Sequence, residues 1–287
     1  MVFYPVKTLS NPMQISKLCL LVGAMAFGLT GCNHKSAASE AAADGRDSLP
    51  EGIAAMIQAV ADSDARAFAS QVLYPLQRPY PLADVADSAA MVAYYGTLMD
   101  DSLRSVLTAA APSDWHELGW RGFTLGNGEY LWYSDGIYAV NYLSAREKEL
   151  RNHLVEAEMA SLAPALRRGY TPEACFAALP GDEGIFRIDR SLTDTVADGS
   201  AAYRLCYYKG RRQLRRAPTT ILYGRRFVEG TASTIHYEFR DSTAELSSLV
   251  YYPESEDGSV LVASVRFQGQ PSRNLSVAPT YWLNLLQ

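Results

Sequence analysis

The sequence predicts an α+β fold, in which an α+β domain precedes a β-rich barrel or sandwich-like domain. Apolar residues recur at helical spacing through much of residues 49–162, which predicts amphipathic helices. From Ile185 onward, short segments rich in β-branched and aromatic residues alternate with turn residues, which predicts strands. We divide the chain into four regions: an N-terminal segment (1–31), a tether (32–48), an α+β domain (49–170) and a β-rich domain (180–287), with the domain boundary within residues 169–184.

The N-terminal segment has the charge and hydropathy order of a secretory signal. The apolar run 18–29 has twelve residues, too few to span a bilayer, and Lys7 and Lys17 precede it. It ends in Leu29-Thr30-Gly31-Cys32, which resembles the bacterial lipobox. The resemblance implies a lipid on Cys32. Asn33 follows that cysteine and no run of acidic residues comes directly after it, from which we expect a lipoprotein anchored in the outer membrane, facing the periplasm. The alternative is an ordinary signal peptide with a chance cysteine.

Charge and composition restrict the partners. The formal net charge is −5 over 287 residues, and removal of residues 1–31, with their two lysines and no acidic residue, makes it −7. An acidic chain is a poor partner for nucleic acid and for anionic lipid, so we predict no nucleic-acid partner and attachment to the membrane through the Cys32 lipid alone. Residues 33–48 are rich in Ala and Ser and predict a flexible tether.

Two cysteines remain after Cys19 and Cys32 are set aside. Cys175 and Cys206 could form a disulfide in an exported protein, or both could be buried thiols. The chain has no CxxC, HExxH, GxSxG or P-loop pattern and no dinucleotide fingerprint, so we predict no metal site and no cofactor.

The α+β domain begins with a helix over 49–71, for which Ser48 and Glu51 have capping-box spacing and Pro50 suits the first turn. The proline-rich segment 74–82 follows as an extended connector. Three further helices are predicted: one from Ser88, a short one stopped by Pro112, and one from the capping box Ser144–Glu147 to about residue 162.

Residues 119–143 predict a three-stranded meander. Asn127-Gly128 and Asp135-Gly136 are strong hairpin signals between its segments. This order resembles the cone-shaped α+β domain of the nuclear transport factor 2-like superfamily. The residues that carry the resemblance are Phe68, Tyr74-Pro75-Leu76, Tyr94-Tyr95, Asp101-Ser102-Leu103 and Gly119-Trp120-Arg121-Gly122. The resemblance implies a pocket at the mouth of a cone.

Seven strands are predicted in the β-rich domain, at turn-punctuated spacing that suggests a small barrel or sandwich. They are Ile185–Ile188, Tyr203–Tyr208, Thr220–Tyr223, Ile235–Phe239, Leu246–Tyr252, Val260–Phe267 and Tyr281–Leu285. The segment Tyr203-Arg204-Leu205 faintly resembles β-rich envelope domains, including lysozyme-inhibitor-like barrels, but no functional residue follows from this likeness.

Two sets of residues could perform acid–base chemistry or bind a ligand. Asp100 and Asp101 with His116 could be an acid–base group, but capping of a helix that starts at Ser102 is the simpler interpretation. His236 and Glu238 share a strand face, where a ligand pair competes with an ordinary solvated face.

Two further sets are candidates for binding. Aromatic residues crowd one stretch of the meander and could bind a sugar or a small apolar ligand with help from a nearby arginine: Trp115, Trp120, Arg121, Tyr130 and Trp132. Core packing is the alternative. One basic run could hold an anionic partner, and the alternative is a solvated hairpin loop: Arg211, Arg212, Arg215 and Arg216.

These observations predict a lipid-anchored cell-envelope protein that acts by binding a small molecule, a glycan or an envelope partner, without catalysis. A small-molecule isomerase or hydrolase that uses the cone pocket is one alternative. An accessory subunit of an envelope lipoprotein complex is another.

Overall fold

The computed structural model describes residues 49–179, 184–196, 199–210, 214–229, 234–253 and 261–287. The described residues belong to one compact unit. They contain both α-helices and antiparallel sheets, so the predicted α+β class is confirmed.

Six α-helices lie within the described ranges: α1 (Glu51–Ala61), α2 (Ala65–Ser70), α3 (Ser88–Leu98), α4 (Asp101–Ala109), α5 (Ala145–Ser161) and α6 (Trp282–Leu285). The predicted single helix over 49–71 is wrong, because α1 and α2 are separated by a turn. Ser63 adopts a left-handed φ of 57°, and the Asp64 side chain accepts hydrogen bonds from two amides of α2. The polar sequence Asp62-Ser63-Asp64 favours this turn over a continued helix.

The helix starts agree with the capping signals in two of three cases. Pro50 precedes α1 as its N-cap instead of lying within the first turn, and Ser48 is outside the described residues. Asp87 caps α3, whose first residue is the predicted Ser88. The Ser144–Glu147 capping box is confirmed at α5, where each side chain accepts a hydrogen bond from the other residue's amide at 3.0 Å.

The helices α1 to α4 pack on a four-stranded antiparallel sheet. Its strands, in spatial and chain order, are β1 (Trp115–Glu117), β2 (Phe123–Leu125), β3 (Leu131–Tyr133) and β4 (Ile137–Val140). The predicted meander corresponds to β2, β3 and β4, while the short β1 was missed. Residues Gly119–Arg121, predicted as strand, form a single 3-10 turn. The inner face of the sheet joins the first hydrophobic core.

The second sheet closes on itself as an eight-stranded antiparallel barrel. Its strands are β5 (Tyr170–Ala178), β6 (Ile185–Thr195), β7 (Ala201–Tyr208), β8 (Thr220–Glu229), β9 (Thr234–Arg240), β10 (Leu246–Tyr251), β11 (Val262–Phe267) and β12 (Arg273–Pro279). Six predicted strands are present. The predicted strand Tyr281–Leu285 is wrong, since α6 occupies it, and β5 and β12 were missed. The strand β5 lies inside the predicted boundary 169–184.

Aromatic side chains fill the barrel lumen. Phe176 stacks on Tyr251 with ring centroids 3.9 Å apart, and Phe186 stacks on Tyr207 at 5.1 Å. These rings belong to a core cluster to which all eight strands contribute. The middle of the lumen is therefore packed.

The outer face of β5, β6 and β7 packs against α5 and α6. Trp282 of α6 is fully buried there, and its indole donates a hydrogen bond to the Ser161 hydroxyl at 2.8 Å. The ring of Tyr208 lies 5.2 Å from that of Trp282. This third apolar cluster joins the helices to the barrel.

Four charged side chains are buried at the same junction. Arg187 pairs with Glu158 of α5 at 2.7 Å and with Asp189 at 2.8 Å. Arg204 pairs with Asp189 at 2.7 Å and donates a second hydrogen bond to the Leu166 carbonyl. Two arginines and two carboxylates leave no net charge, which is the arrangement that buried ions require.

A second buried ion pair holds the proline-rich connector. Arg78 pairs with Glu147 of α5 at 2.8 Å, and both side chains are inaccessible to solvent. The Arg78 guanidinium also donates to the carbonyls of Val140 and Tyr142. The predicted extended connector is thus tied to both the sheet and α5 by one side chain.

Candidate functional site

A tight turn between β1 and β2 presents one tryptophan to solvent. Gly119 and Gly122 have positive φ angles of 62° and 92°. A Cβ atom on Gly122 would lie 2.1 Å from the carbonyl oxygen of Tyr133, so only glycine fits there. Between these glycines, Trp120 has 92% of its surface exposed. Single exposed apolar side chains are common on folded proteins, so the significance of Trp120 depends on the aromatic side chains of the adjacent sheet.

Two more aromatic side chains lie on the adjacent sheet. Trp132 of β3 points away from the core, and its indole donates a hydrogen bond to the carbonyl of Arg121 at 2.7 Å. Its ring lies 4.7 Å from that of Tyr138, tilted by 59°, and Tyr138 is 54% exposed. We call Trp120, Trp132 and Tyr138 the aromatic face. The Trp132 hydrogen bond ties it to the turn that carries Trp120.

The predicted aromatic set is divided by the structure. Trp120, Arg121 and Trp132 lie together at the turn, with Arg121 contributing its backbone carbonyl. Trp115 is buried in the first core, and its indole nitrogen has no hydrogen-bond partner among the described residues. Tyr130 packs at the edge of that core, 6.1 Å from the ring of Tyr142.

Sequence reasoning missed Tyr138. It follows the Asp135-Gly136 turn on β4, whereas Trp132 precedes that turn on β3. Residues on either side of a hairpin turn are cross-strand neighbours, so the spacing could have identified the pair. The strand pairing shifts by one residue between Trp132 and Tyr133, so counting residues from the turn does not identify the pair.

Asp100 and Asp101 do not form an acid–base group with His116. Asp100 caps α4, accepting a hydrogen bond from the Leu103 amide at 2.9 Å. Its carboxylate also accepts bonds from the Tyr142 hydroxyl at 2.9 Å and from the Ala145 amide at the start of α5. His116 is exposed on β1. The capping interpretation accounts for Asp100, although α4 starts at Asp101 instead of Ser102.

Replacement of Asp100 by alanine is expected to cost about 1–2 kcal/mol of unfolding free energy, because the side chain serves two helix starts. Partial burial opposes ionisation of Asp100, but hydrogen bonds from the Leu103 and Ala145 amides and the Tyr142 hydroxyl outweigh it and hold its pKa below the ordinary value. The stabilisation is therefore present above about pH 4 and is lost as the pH falls through the lowered folded-state pKa. Chemical denaturation at pH 7 and at pH 3 would measure both effects.

Asp101→Ala is the matched control, since Asp101 is exposed in the first turn of the same helix. We expect it to change stability by less than about 0.5 kcal/mol. Equal losses in both variants would contradict the assignment of the cap to Asp100.

His236 and Glu238 share the outer face of β9, as predicted, but the face is not solvated at the histidine. His236 is buried between the rings of Phe227 and Tyr252, with centroid distances of 4.7 and 5.1 Å. Glu238 lies 3.5 Å from its Nε2 and Glu229 lies 3.9 Å from its Nδ1. The rings of Phe227 and Tyr252, which are distant from His236 in sequence, exclude water from the histidine, whereas the prediction assumed a solvated face.

The basic run is only partly within the described residues. Arg211 and Arg212 lie outside them. Arg215 donates a hydrogen bond to the Leu286 carbonyl at 3.2 Å, and Arg216 is exposed. The described half of the run therefore includes one contact with the C-terminal segment.

Cys175 and Cys206 are free, buried thiols, the second of the two alternatives. They lie on β5 and β7, and each is opposite Arg187 of the intervening strand β6, so the two strands that carry them do not pair. Burial raises the pKa of the Cys206 thiol to about 12 and also raises that of Cys175. Both are poor nucleophiles in this environment.

The predicted lipidation residue Cys32 lies outside the described residues. Among the helices that the structure describes, none is long and apolar enough to cross a membrane. The described ranges also contain no group of three His, Cys, Asp or Glu side chains that could hold a metal ion.

Comparisons of the chain with protein-family models, with curated proteins and with solved structures found no match. The resemblances to the lipobox and to the nuclear transport factor 2-like superfamily therefore stay predictions. Of the aromatic residues in the predicted binding set, Trp120 is exposed on the turn and Trp132 is hydrogen-bonded to the same turn, and the aromatic face that they form with Tyr138 is the candidate site.

Proposed function

We propose that this protein is a lipid-anchored cell-envelope protein that binds a glycan through the aromatic face, without catalysis. The observation that carries the proposal is the 92% exposure of Trp120 on a turn whose geometry requires two glycines with positive φ. The two glycines fix the backbone of the turn that presents Trp120, and a tryptophan side chain has only two torsions to order on binding, which suits it to recognition.

The chemistry of the face favours a sugar over a purely apolar ligand. Trp and Tyr rings combine an apolar surface with a polar edge, and sugar rings likewise have an apolar face and a hydroxyl rim. The tilt of 59° between Trp132 and Tyr138 makes an angled surface beside Trp120 that can contact a non-planar ligand. Thr124, opposite Trp132 on the neighbouring strand, shares this face.

The predicted tether supports action near a membrane. Gly52 in the first turn of α1 lies close to the Tyr133 hydroxyl, because a Cβ atom there would be 2.0 Å from it. Tyr133 faces the core, opposite to its neighbour Trp132, so α1 packs on the inner face of the sheet whose outer side carries the aromatic face. A tether of residues 33–48 attached at Cys32 spans at most ~55 Å when fully extended. We propose a location at the outer membrane, facing the periplasm.

The finer fold assignments belong to the same proposal. Helices against one face of an antiparallel sheet are in keeping with a cone-like domain, and we propose the N-terminal half as a member of the nuclear transport factor 2-like class. The isomerase or hydrolase alternative is less well supported, because Asp100 serves as a cap and His116 is exposed elsewhere. Exposed residues of the aromatic face could also contact another envelope protein.

Replacement of Trp120 by alanine is expected to weaken glycan binding by about tenfold or more, since a central aromatic contact typically dominates such an interface. Titration calorimetry with soluble peptidoglycan fragments and with N-acetylglucosamine oligomers would measure the change. The stability of the variant should stay within about 0.5 kcal/mol of the parent, because the side chain makes little contact with the fold.

Tyr223→Ala is the control, as Tyr223 is also an exposed aromatic residue, at 63%, but lies on the barrel. It should bind both glycan probes as the parent protein does. Absence of binding of either probe to the parent protein, or equal losses in the two variants, would refute the proposed site.

A further inference from the structure

One end of the barrel lumen is polar, in contrast to its packed aromatic middle. Tyr203 and Tyr237 belong to the lumen cluster, and their rings meet edge to face at 5.4 Å. Arg190 is opposite Tyr203 in the strand register, and Arg226 is opposite Tyr237. Cross-strand neighbours project from the same face of a sheet, so both arginines project on the lumen side.

A β-bulge adds a carboxylate to this end. The register of β5 against β6 shifts between Pro172 and Ala174, which leaves Glu173 as the extra residue. Glu173 accepts a hydrogen bond from the Tyr237 hydroxyl at 3.0 Å. Since β5 and β9 are separated by three strands on one side of the ring and three on the other, this bond crosses the lumen. We call Glu173, Arg190, Tyr203, Arg226 and Tyr237 the mouth cluster.

The five side chains converge on one region. The charges of Glu173, Arg226 and Arg190 all act on the Tyr203 hydroxyl, and those of Glu173 and Arg226 act on Tyr237. Below them, Tyr251 lies 6.4 Å from the Tyr237 ring and stacks on Phe176. The packed rings of Tyr251 and Phe176 therefore lie beneath the mouth cluster.

The mouth cluster is positively charged in an acidic protein. Two arginines and one glutamate give its five residues one net positive charge, and the charge of Arg151 on α5 also acts on Glu173 and Arg190, whereas the whole chain has a net charge of −5. Within the described part of the chain, Arg226 makes no salt bridge, and Arg190 lies 4.0 Å from Glu173, beyond hydrogen-bond distance. The guanidinium groups are thus not neutralised by close pairing with Glu173.

We propose that the mouth cluster binds a small carboxylic acid that carries a neighbouring hydroxyl or amino group. A guanidinium fork matches a carboxylate in shape, and the tyrosine hydroxyls add donors. One carboxylate offsets the excess positive charge of the five residues, while a phosphate dianion would place two negative charges beside Glu173. The Glu173 oxygen that faces Arg190 accepts the ligand's hydroxyl or amino proton. This site lies on the barrel and is independent of the aromatic face.

Titration calorimetry with sodium lactate and with sodium propionate tests the proposal, because the two acids differ in the 2-hydroxyl. We expect lactate to bind the full chain at concentrations up to about 10 mM, and propionate to bind several-fold more weakly. Arg226→Gln should weaken lactate binding by about tenfold or more. Arg226→Lys, which keeps the charge but loses the fork, should give an intermediate loss and guards against misfolding of the first variant.

Arg225→Gln is the matched control, since Arg225 is the neighbouring residue on β8 and stacks on Phe227 at the outer face, at 4.2 Å. Its lactate affinity should equal that of the parent, as should that of Trp120→Ala. Absence of lactate binding, or equal losses in Arg225→Gln and Arg226→Gln, would overturn the site. Phosphate bound more tightly than lactate would overturn the carboxylate assignment, and equal affinities for lactate and propionate would overturn the role of Glu173.

Discussion

Replacement of Arg187 by methionine is expected to reduce the unfolding free energy by about 3–5 kcal/mol at pH 7, a large part of the stability of a typical domain. The side chain is fully buried and pairs with Glu158 and Asp189. Methionine fills much of the same volume, so the loss comes from two buried carboxylates, of which Asp189 keeps Arg204 and Glu158 keeps only the Tyr80 hydroxyl. Urea denaturation would measure the change.

The loss should shrink as the pH falls. Burial already raises the pKa of Glu158 despite the opposing charge of Arg187, and removal of that charge raises it further. A carboxyl group with a raised folded-state pKa favours folding at low pH, and this contribution is lost as the pH rises from about 4 through the folded-state value. The variant should therefore lie closest to the parent protein near pH 4.

Arg240→Met is the control for Arg187→Met. Arg240 lies on β9 with its side chain 72% exposed, and its ion pair with Glu238 is a surface contact at 3.2 Å. We expect a change below about 1 kcal/mol. If Arg187→Met loses as little unfolding free energy as Arg240→Met, the buried network contributes little to stability.

Replacement of Arg78 by leucine is expected to cost about 3–5 kcal/mol as well, for a related reason. The change leaves Glu147 buried without its cation and frees the carbonyls of Val140 and Tyr142 inside the protein. Each unpaired buried acceptor adds its own desolvation cost. Since Arg78 ties the connector 74–82 to the sheet and to α5, amide hydrogen exchange should rise in that segment more than in the barrel.

The exposed Arg66 of α2 provides the comparison for this variant. Arg66→Leu should shift stability by less than about 1 kcal/mol and leave hydrogen exchange of the connector unchanged. If amide hydrogen exchange rises equally across the chain in Arg78→Leu, the ion pair stabilises the protein as a whole and does not specifically anchor the connector.

Neighbouring residues in the sequence decided which helix and turn predictions were correct. The Ser144–Glu147 capping box and the stop before Pro112 depend on neighbouring residues alone, and both are present. The break between α1 and α2 depends on local chemistry too, but a continuous apolar pattern masked the polar turn at Ser63. Apolar periodicity therefore identified helical content better than helix ends.

Barrel strands with mixed composition escaped the sequence pattern. The strand β5 contains Pro172 and a bulge, and β12 alternates exposed polar residues with only two buried apolar ones, Leu275 and Val277. Pairing within a closed sheet holds both strands in place. Conversely, Tyr281–Leu285 has strand-like composition, yet Trp282 is held as a helix residue by its packing against α5. Tertiary contacts decided these segments.

The candidate sites differ in how much of them local sequence reveals. Trp120 and Trp132 are close in sequence, so composition alone located them. The mouth cluster unites residues from β5, β6, β7, β8 and β9, and Glu173 joins it only through a bulge. A sequence pattern with a period of two places the bulged residue on the wrong face, because the bulge reverses the alternation.

Closure of the barrel has a consequence for crowding. Each of its eight strands is hydrogen-bonded on both sides, so the barrel offers no free backbone edge to which another chain could add a strand. The four-stranded sheet has two edge strands, β1 and β4, but these have only three and four residues. Copies of the protein at high local concentration would therefore have little free backbone through which to aggregate by strand pairing. Contacts between neighbouring copies would be restricted to side chains. The exposed Trp120 would then be free to contact a specific partner.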